Sequence, residues 1–452
     1  MPTYSADKLT ATIKLRQGVK FQNTGNPFTA DDVVFSFNRL ANLKSNPSFL
    51  VTDFMESVTA VDPATVAIKL KSVNAALLGI LAAVQLTITD SVEAKKHGGT
   101  DAVGADQTDK LTDWLNAGNS LGTGPYRCTA WDVSNEIVLE ANPNYWGTKP
   151  NFDRIIFRNQ SNSNTQLDSI ANGEADMAFA IDPDAVSRIT PDSGMQLIQG
   201  PSLAIEYVAM NNSEAVGGIL SKKEVRQAIA KAIDYNGIIN DLLGKGAVRP
   251  ATVIPLGLLG AEDVQSSAYQ TDINAAQALF DSAGVGPTEI TLTWGSGQAT
   301  PAGLSRDVLA PKLKSDIEKI KGLTVKLTPM DPTQRLAVYR AAKLQFTMSD
   351  WSPDYPDVHT YADPFGRTGG AAAKRVNYSN PQVDKLLDQG IAELDVNKRK
   401  DIYVQIEKIL IDDAAFLVDF QPNYRSPASS KVQGAQTHGI YILNLRNVTK
   451  TA

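Results

Sequence analysis

The chain has 452 residues, 42% of them hydrophobic and 20% charged, which is long enough for two or three globular domains. Its 43 lysines and arginines against 49 aspartates and glutamates give a net charge of -6, and it has no basic stripe typical of nucleic-acid binders. The single cysteine, Cys128, excludes an intrachain disulfide and a cysteine-rich zinc site.

The N-terminal part of the chain predicts a mixture of strands and helices. Alternating apolar and polar residues predict strands at 11–15 and 65–70. Thr29 and Asp32 resemble a capping box, which predicts that a helix begins there. Residues 95–121 are rich in glycine and small polar residues, so we expect a surface loop with one short helix near Trp114.

The next segment alternates predicted strands with one predicted helix. Gly173 is well placed to end that helix. The alternation of strand, helix and strand predicts α/β architecture. The predicted helix covers 165–172, and the predicted strands cover 126–131, 136–141, 154–157 and 177–180.

Two short apolar segments, 205–210 and 416–420, are predicted to be strands that cross between two lobes. The second is followed by Gln421-Pro422-Asn423, which we expect to break the strand. The long stretch between the crossings would then be inserted into the outer part of the fold, with the two strands as a hinge. That stretch predicts helices at 274–283, 304–321, 332–342, 381–394 and 397–411, and strands at 289–294 and 324–328.

Eight short motifs follow one another over nearly the whole chain. They are LRQGVKF at 15–21, FTADDVVFS at 28–36, GTGPY at 122–126, NPNYW at 142–146, GEAD at 173–176, VRQA and AID within 225–234, WSPDY at 351–355, and NYSN and VD within 377–384. In this order they resemble the extracellular solute-binding proteins of ABC importers, family 5, which include the dipeptide- and oligopeptide-binding proteins.

The resemblance implies an α/β, two-lobed fold like that of periplasmic binding proteins, with an extra subdomain and a two-strand hinge. We expect the extra subdomain at 1–117, the outer lobe at 118–206 plus 425–452, and the inserted second lobe at 207–424. In the family a signal segment and further strands precede the point where this chain begins, so we expect N-terminal strands to be missing. The protein would lie in the periplasm or be lipid-anchored outside the membrane.

Trp351 and Asp354 are the strongest candidates for ligand binding. In the peptide-binding relatives the matching aspartate accepts the charged amino terminus of the ligand, and the matching tryptophan lines the pocket. A carboxylate that loses water when a cleft closes must meet a cation or take up a proton. The alternative is that Trp351 belongs to the core and Asp354 only caps a turn before Pro356.

Other residues are weaker candidates for ligand contacts. The residues at the two crossings have hinge structure as their alternative, and Trp294 has core packing. Arg375 could reach an anionic ligand group, or it could be solvated or bridge the lobes. The further candidate ligand-binding residues are Asn211, Trp294, Tyr355, His359, Asn423 and Tyr424.

One departure from the family concerns the ligand's carboxyl terminus. Dipeptide specialists carry an arginine after the strand that ends here at Trp294, whereas this chain has no cation until Arg306. This argues for longer peptides, or for a sugar derivative or an opine.

The resulting hypothesis is a binding protein, not an enzyme, that captures a short peptide or similar solute and delivers it to an ABC transporter permease as a monomer. No cofactor is expected, and the histidines have no metal-ligand spacing. A hydrolase with Asp354 and Asp357 as its carboxylate pair is the alternative. A sensory role, with a membrane receptor as the partner, also stays open.

Overall fold

The computed structural model describes residues 2–179 and 181–451, and the chain divides into two compact units, Met1–Ser161 and Asn162–Ala452. Both units mix helices and strands, as the sequence predicts. The three-part boundaries expected from the resemblance stay a prediction. None of the helices in the described part of the chain has the length and apolar character that a bilayer span requires.

The first unit carries two antiparallel sheets with helices beside them. Its strands are β1 (Thr3–Tyr4), β2 (Thr10–Lys14), β3 (Met55–Asp62), β4 (Thr65–Leu70), β5 (Tyr126–Trp131), β6 (Glu136–Ala141) and β7 (Arg154–Arg158). Its helices are α1 (Ala30–Asn42), α2 (Phe49–Thr52), α3 (Leu77–Leu81), α4 (Ser91–Lys96), α5 (Ala105–Thr108) and α6 (Leu111–Asn116). The strand orders are β1-β2-β4-β3 and β5-β6-β7.

The start of α1 confirms the predicted capping signal. The main-chain nitrogen of Thr29 donates to Asp32 Oδ2 at 2.8 Å, and Asp32 Oδ1 accepts from the main-chain nitrogen of Ser91 at 2.9 Å. The buried Asp32 therefore caps α1 and also ties it to α4. The predicted helix near Trp114 is α6, whereas α5 was missed because its four residues carry no helical periodicity.

The second unit contains the larger sheet. Its helices are α7 (Ser163–Ala171), α8 (Glu214–Gly217), α9 (Lys223–Ala232), α10 (Tyr235–Gly237), α11 (Ile273–Ser282), α12 (Arg306–Ile317), α13 (Pro332–Arg340), α14 (His359–Gly366), α15 (Pro381–Ala392) and α16 (Val396–Asp413). Its strands are β8 (Met195–Pro201), β9 (Ile205–Met210), β10 (Ala247–Val248), β11 (Thr288–Gly295), β12 (Leu323–Met330), β13 (Phe346–Trp351), β14 (Phe416–Ser429), β15 (Val432–Gln433), β16 (Gln436–His438), β17 (Ile442–Asn444) and β18 (Thr449–Lys450).

The main sheet of this unit has the order β10-β14-β9-β13-β11-β12, and β8 pairs with the second half of β14. Strand β11 is parallel to β12 and β13, and the other pairs are antiparallel. The two predicted crossing segments are therefore both strands, and as β9 and β14 they are direct neighbours in the middle of the sheet.

Strand β9 is buried on both faces. Val208 and Met210 belong to one apolar cluster, whereas Tyr207 and Ala209 belong to another. This alternation follows from the two-residue period of a strand, and helices cover both sides of it. Glu206 is also fully buried in this apolar strand, so it needs a partner inside the protein.

The predicted break after residue 420 was wrong, because β14 continues to Ser429. Strand β14 leaves β9 at Phe420 and joins β8 at Asn423, so Pro422 lies where the strand changes its neighbour. A proline costs no ladder hydrogen bond at such a point. The carbonyl of Pro422 still accepts from the main-chain nitrogen of Ser202 at 3.1 Å.

The strand predicted at 177–180 is reduced to an isolated bridge between Met177 and Ala428. The last residue of that prediction, at position 180, lies outside the described residues.

Candidate functional site

The segment between β13 and α14 is held in place from both ends. Trp351 ends β13 opposite Ile205, and α14 begins at His359. Between them the main-chain nitrogen of Asp354 donates to Thr360 Oγ1 at 3.3 Å. The segment therefore presents Asp354 on a short, tethered bend at the carboxyl end of a buried strand.

The carboxylate of Asp354 is partly buried and has no counter-ion among the described residues. Burial alone raises its pKa. Neither a hydrogen bond nor a salt bridge to its carboxylate comes from residues 2–179 or 181–451. A desolvated acid in this state gains most from a cation that brings its own charge and hydrogen-bond donors.

Trp351 lies beside this acid with one part of its ring in the core. Its ring meets the edge of Phe365, with a centroid distance of 5.2 Å, and Phe365 in turn contacts Phe416 at 4.9 Å. The side chain is still partly exposed, and its buried indole nitrogen has no acceptor among the described residues. Trp351 is therefore anchored by the core without being enclosed in it.

Two tyrosines, Tyr361 on α14 and Tyr424 on β14, have hydroxyl groups bonded inside the protein. The Tyr361 hydroxyl donates to the carbonyl of Leu203, and burial raises its pKa, as do the nearby Tyr424 and Asp354. Tyr424 is itself partly buried, and its hydroxyl donates to the carbonyl of Ile440 at 3.5 Å. Tyr424 and Asp354 are thus each near enough to Tyr361 to raise its pKa, and sequence reasoning missed Tyr361 because it carries no motif.

Asn423 precedes Tyr424 on β14 and is partly exposed. Its main-chain nitrogen donates to the carbonyl of Gly246 at 2.9 Å. Its side-chain amide forms no hydrogen bond with the described residues and remains available for a polar contact.

Two predicted site residues have structural partners instead. Trp294 is 5% exposed, and its indole nitrogen donates to Asp307 Oδ1 at 2.6 Å. Asn211 is fully buried, and its amide donates to the carbonyls of Ala342 and Leu344 at 3.1 and 3.2 Å. Since these donors are already satisfied inside the protein, neither side chain has a hydrogen-bond donor left for a ligand.

Two further predicted residues, Tyr355 and His359, are enclosed although they adjoin Asp354. Tyr355 is 3% exposed and His359 is 4% exposed. The His359 ring is hydrogen-bonded through Nδ1 to the Tyr403 hydroxyl at 2.9 Å, and burial lowers its pKa. An imidazole packed in this way supports the segment that carries Asp354, and a ligand contact of Tyr355 or His359 stays a prediction.

Arg306 is the next cation along the chain after Trp294, and it is fully engaged inside the protein. Its guanidinium donates to Glu206 Oε1 and Oε2 at 2.7 and 2.8 Å and to Asp350 Oδ1 at 2.5 Å. Arg306 therefore pairs with the buried Glu206 of β9 and is not free to hold a ligand.

The described residues contain no group of three histidine, cysteine, aspartate or glutamate side chains that could hold a metal ion. His97 stacks on Trp114 with a centroid distance of 3.9 Å, and His438 stacks on Tyr441 at 4.9 Å. These two histidines and His359 therefore lie in three separate aromatic environments.

Comparison with known families and structures agrees with this architecture. The family described as bacterial extracellular solute-binding proteins, family 5 Middle, matches residues 2–373. The chain is 29% identical over 433 residues to a protein of Escherichia coli K12 named as a probable D,D-dipeptide-binding periplasmic protein, covering 95% of this chain and 80% of that one.

Two further comparisons concern a second relative and a solved structure. The dipeptide-binding protein of Escherichia coli K12 is 26% identical over 454 residues, covering 95% of this chain and 81% of that protein. An ABC transporter substrate-binding protein of Listeria monocytogenes superposes with a TM-score of 0.84 at 23% identity, covering 100% of this chain and 90% of that one. The predicted α/β fold of the periplasmic binding proteins is thereby confirmed.

Proposed function

Because the chain belongs to the bacterial extracellular solute-binding proteins of family 5, we propose that it captures a short peptide and delivers it to the permease of an ABC importer. Two similar curated proteins are named for dipeptide binding. The protein acts outside the cytoplasm as a monomer and performs no chemistry on its ligand.

The unpaired carboxylate of Asp354 is the observation that carries the proposal. It is partly buried, and burial raises its pKa. A peptide's amino terminus offers a positive charge and three N–H donors, which stabilise the ionised carboxylate. Asp354 therefore binds the amino group of the peptide.

Trp351 and the residues of β14 provide the rest of the contacts. The anchored indole is a flat apolar wall that loses little conformational entropy when a ligand packs against it. The hydroxyl of Tyr424 supplies a hydrogen bond to the peptide backbone, whereas the side chain of its neighbour Asn423 points to the opposite face of β14. Contacts of this kind recognise the main chain of the peptide and select only weakly for its side chains.

The hydrolase alternative lacks its second carboxylate. Asp357 is held by both terminal nitrogens of Arg399, at 2.7 and 2.8 Å, and it also caps the start of α14 through the main-chain nitrogen of His359 at 2.8 Å. A carboxylate fixed in this way supports the loop and is not available as a general base or nucleophile. Binding without chemistry is the better interpretation.

The expected three-part organisation is also part of the proposal. The adjacent strands β9 and β14 would serve as the hinge between the outer lobe, 118–206 plus 425–452, and the second lobe, 207–424. A ligand that contacts both lobes shifts the population towards the closed form by its extra affinity for that form.

Calorimetric titration with trialanine and N-acetyl-trialanine tests the site. Asp354→Asn should weaken trialanine binding about 10- to 100-fold, the effect of losing a charge-assisted hydrogen bond. N-acetylation of the peptide should weaken binding to the native protein by a similar factor and should hardly affect the variant. Asp192→Asn, which removes a carboxylate from an exposed turn, is the matched control and should bind like the native protein.

A panel of di- to pentapeptides, a sugar derivative and an opine completes the test. Binding of the sugar derivative or the opine alone would contradict the peptide proposal. Equal affinity of the native protein and Asp354→Asn for every peptide would contradict the site.

A further inference from the structure

Arg375 lies at the same indole ring as the proposed peptide site. It stands on the turn between α14 and α15, and its guanidinium carbon is 5.7 Å from the centroid of the Trp351 ring. The same carbon is 5.3 Å from the ring of Tyr339, which is fully buried. Two aromatic rings therefore fix the position of one planar cation.

This guanidinium has no hydrogen-bond acceptor in the part of the chain that the structure describes. Neither a hydrogen bond nor a salt bridge joins it to any described residue, and its Nε is buried without a partner. The Trp351 indole nitrogen is another buried donor without a partner among the described residues, as are the Nε atoms of Arg249, Arg335 and Arg425. Burying two N–H donors near one ring without an acceptor costs free energy. A ligand group that is rich in acceptors would remove this cost.

Other partly buried arginines of this unit differ from Arg375 in this respect. Arg306 and Arg399 each hold carboxylates. Arg249 donates to the carbonyl of Tyr269, and Arg425 donates to that of Gly244 at 3.1 Å. Among these arginines, only Arg375 has a guanidinium with no acceptor for any of its nitrogens among the described residues.

We propose that Arg375 binds the carboxylate of the peptide ligand, so that the site takes a zwitterion with its amino group on Asp354 and a carboxylate on Arg375. This inference rests on the proposed function, because it places the second charge of the same ligand. A guanidinium placed near two aromatic rings has a restricted position, and its planar fork can donate two parallel hydrogen bonds to a carboxylate.

Both proposed charged groups lie near the same indole. Asp354 follows Trp351 by three residues, so their Cα atoms lie at most ~10 Å apart. Arg375 is in contact with the ring of Trp351 itself. Both charges therefore lie within a few residue lengths of one indole. Arg375 would take the role of the arginine that dipeptide specialists carry after the strand that ends here at Trp294.

The test compares trialanine with trialanine amide, which lacks the carboxylate. Titration calorimetry should show that amidation weakens binding to the native protein about 10- to 100-fold. Arg375→Gln should weaken trialanine binding by a similar factor and should no longer distinguish the acid from the amide. Arg375→Lys should retain part of the discrimination, because it keeps the charge without the planar fork.

The matched control is Arg340→Gln, which removes an exposed arginine next to Tyr339 and should bind like the native protein. If the native protein binds the acid and the amide equally, Arg375 does not hold the carboxylate, while the loss in Asp354→Asn still supports the proposed function. This comparison needs no variant, so it decides the matter even if Arg375→Gln fails to fold. If the native protein binds no peptide at all, both proposals are wrong.

Discussion

Replacing Arg306 by glutamine should destabilise the ligand-free protein strongly. Arg306 and Glu206 have side chains 2% and 0% exposed, and the guanidinium donates to both oxygens of Glu206. Arg306→Gln would leave the carboxylate of Glu206 in the middle of the main sheet without a counter-ion. Asp350, the second partner, has a side chain 46% exposed and can be hydrated when the arginine is removed.

The expected magnitude follows from this difference in burial. Breaking a buried ion pair by removing one partner costs ~3–5 kcal/mol. That is a large share of the stability of a typical domain, which is about 5–15 kcal/mol. Glu206→Gln combined with Arg306→Met should recover most of the loss, because no charge of the pair then stays buried.

Urea unfolding followed by tryptophan fluorescence measures the effect, with the exposed Arg340→Gln as the control. A free energy of unfolding within 1 kcal/mol of the native value for Arg306→Gln would refute the assignment of this pair as structural. It would also reopen the possibility that Arg306 serves the ligand, because a ligand-binding cation leaves the ligand-free stability largely unchanged.

Three other predictions concern pH and packing. Burial raises the pKa of the fully buried Glu407 to about 8, against 4.5 ordinarily, so the folded state keeps a proton that the unfolded chain has lost between these values. The free energy of unfolding should therefore fall as pH rises through this window, by up to ~1.4 kcal/mol per pH unit. Glu407→Gln should remove this pH dependence in urea titrations. An unchanged pH dependence in the variant would contradict the burial argument. Peptide binding should weaken as pH falls through the raised pKa of Asp354, starting at a higher pH than an exposed aspartate would give, and calorimetry at several pH values checks this. Gly217→Ala should destabilise by ~1–3 kcal/mol in thermal melts because a new Cβ would overlap the carbonyl oxygen of Asn211, whereas Gly286→Ala, which meets open space, should be neutral.

Much of the sheet could be predicted from local patterns. The apolar run at 205–210 predicted β9, and the run at 416–420 predicted the first part of β14. The continuation of β14 through Pro422 could not be predicted, because it depends on the exchange of β9 for β8 as the neighbouring strand. Long-range packing decides which strands are neighbours. A proline does not break a strand at a point where no neighbouring strand needs its missing N–H.

The site was only partly predictable for a similar reason. The motif around Trp351 and Asp354 predicted a carboxylate beside an indole; both side chains are partly exposed in the structure, and their joint role in ligand binding stays a prediction. Residue type alone did not separate Trp351, which is partly exposed, from Trp294, which is enclosed and bonded to Asp307. The pairing of Arg306 with Glu206, which are 100 residues apart, likewise depends on the fold and leaves no local signal.

A crystal structure of the protein with a bound peptide tests the central claim most directly. The account predicts the peptide's amino nitrogen within hydrogen-bonding distance, about 2.7–3.2 Å, of a carboxylate oxygen of Asp354, with the indole of Trp351 against the peptide. A peptide bound elsewhere, with the Asp354 carboxylate facing only water, would contradict it.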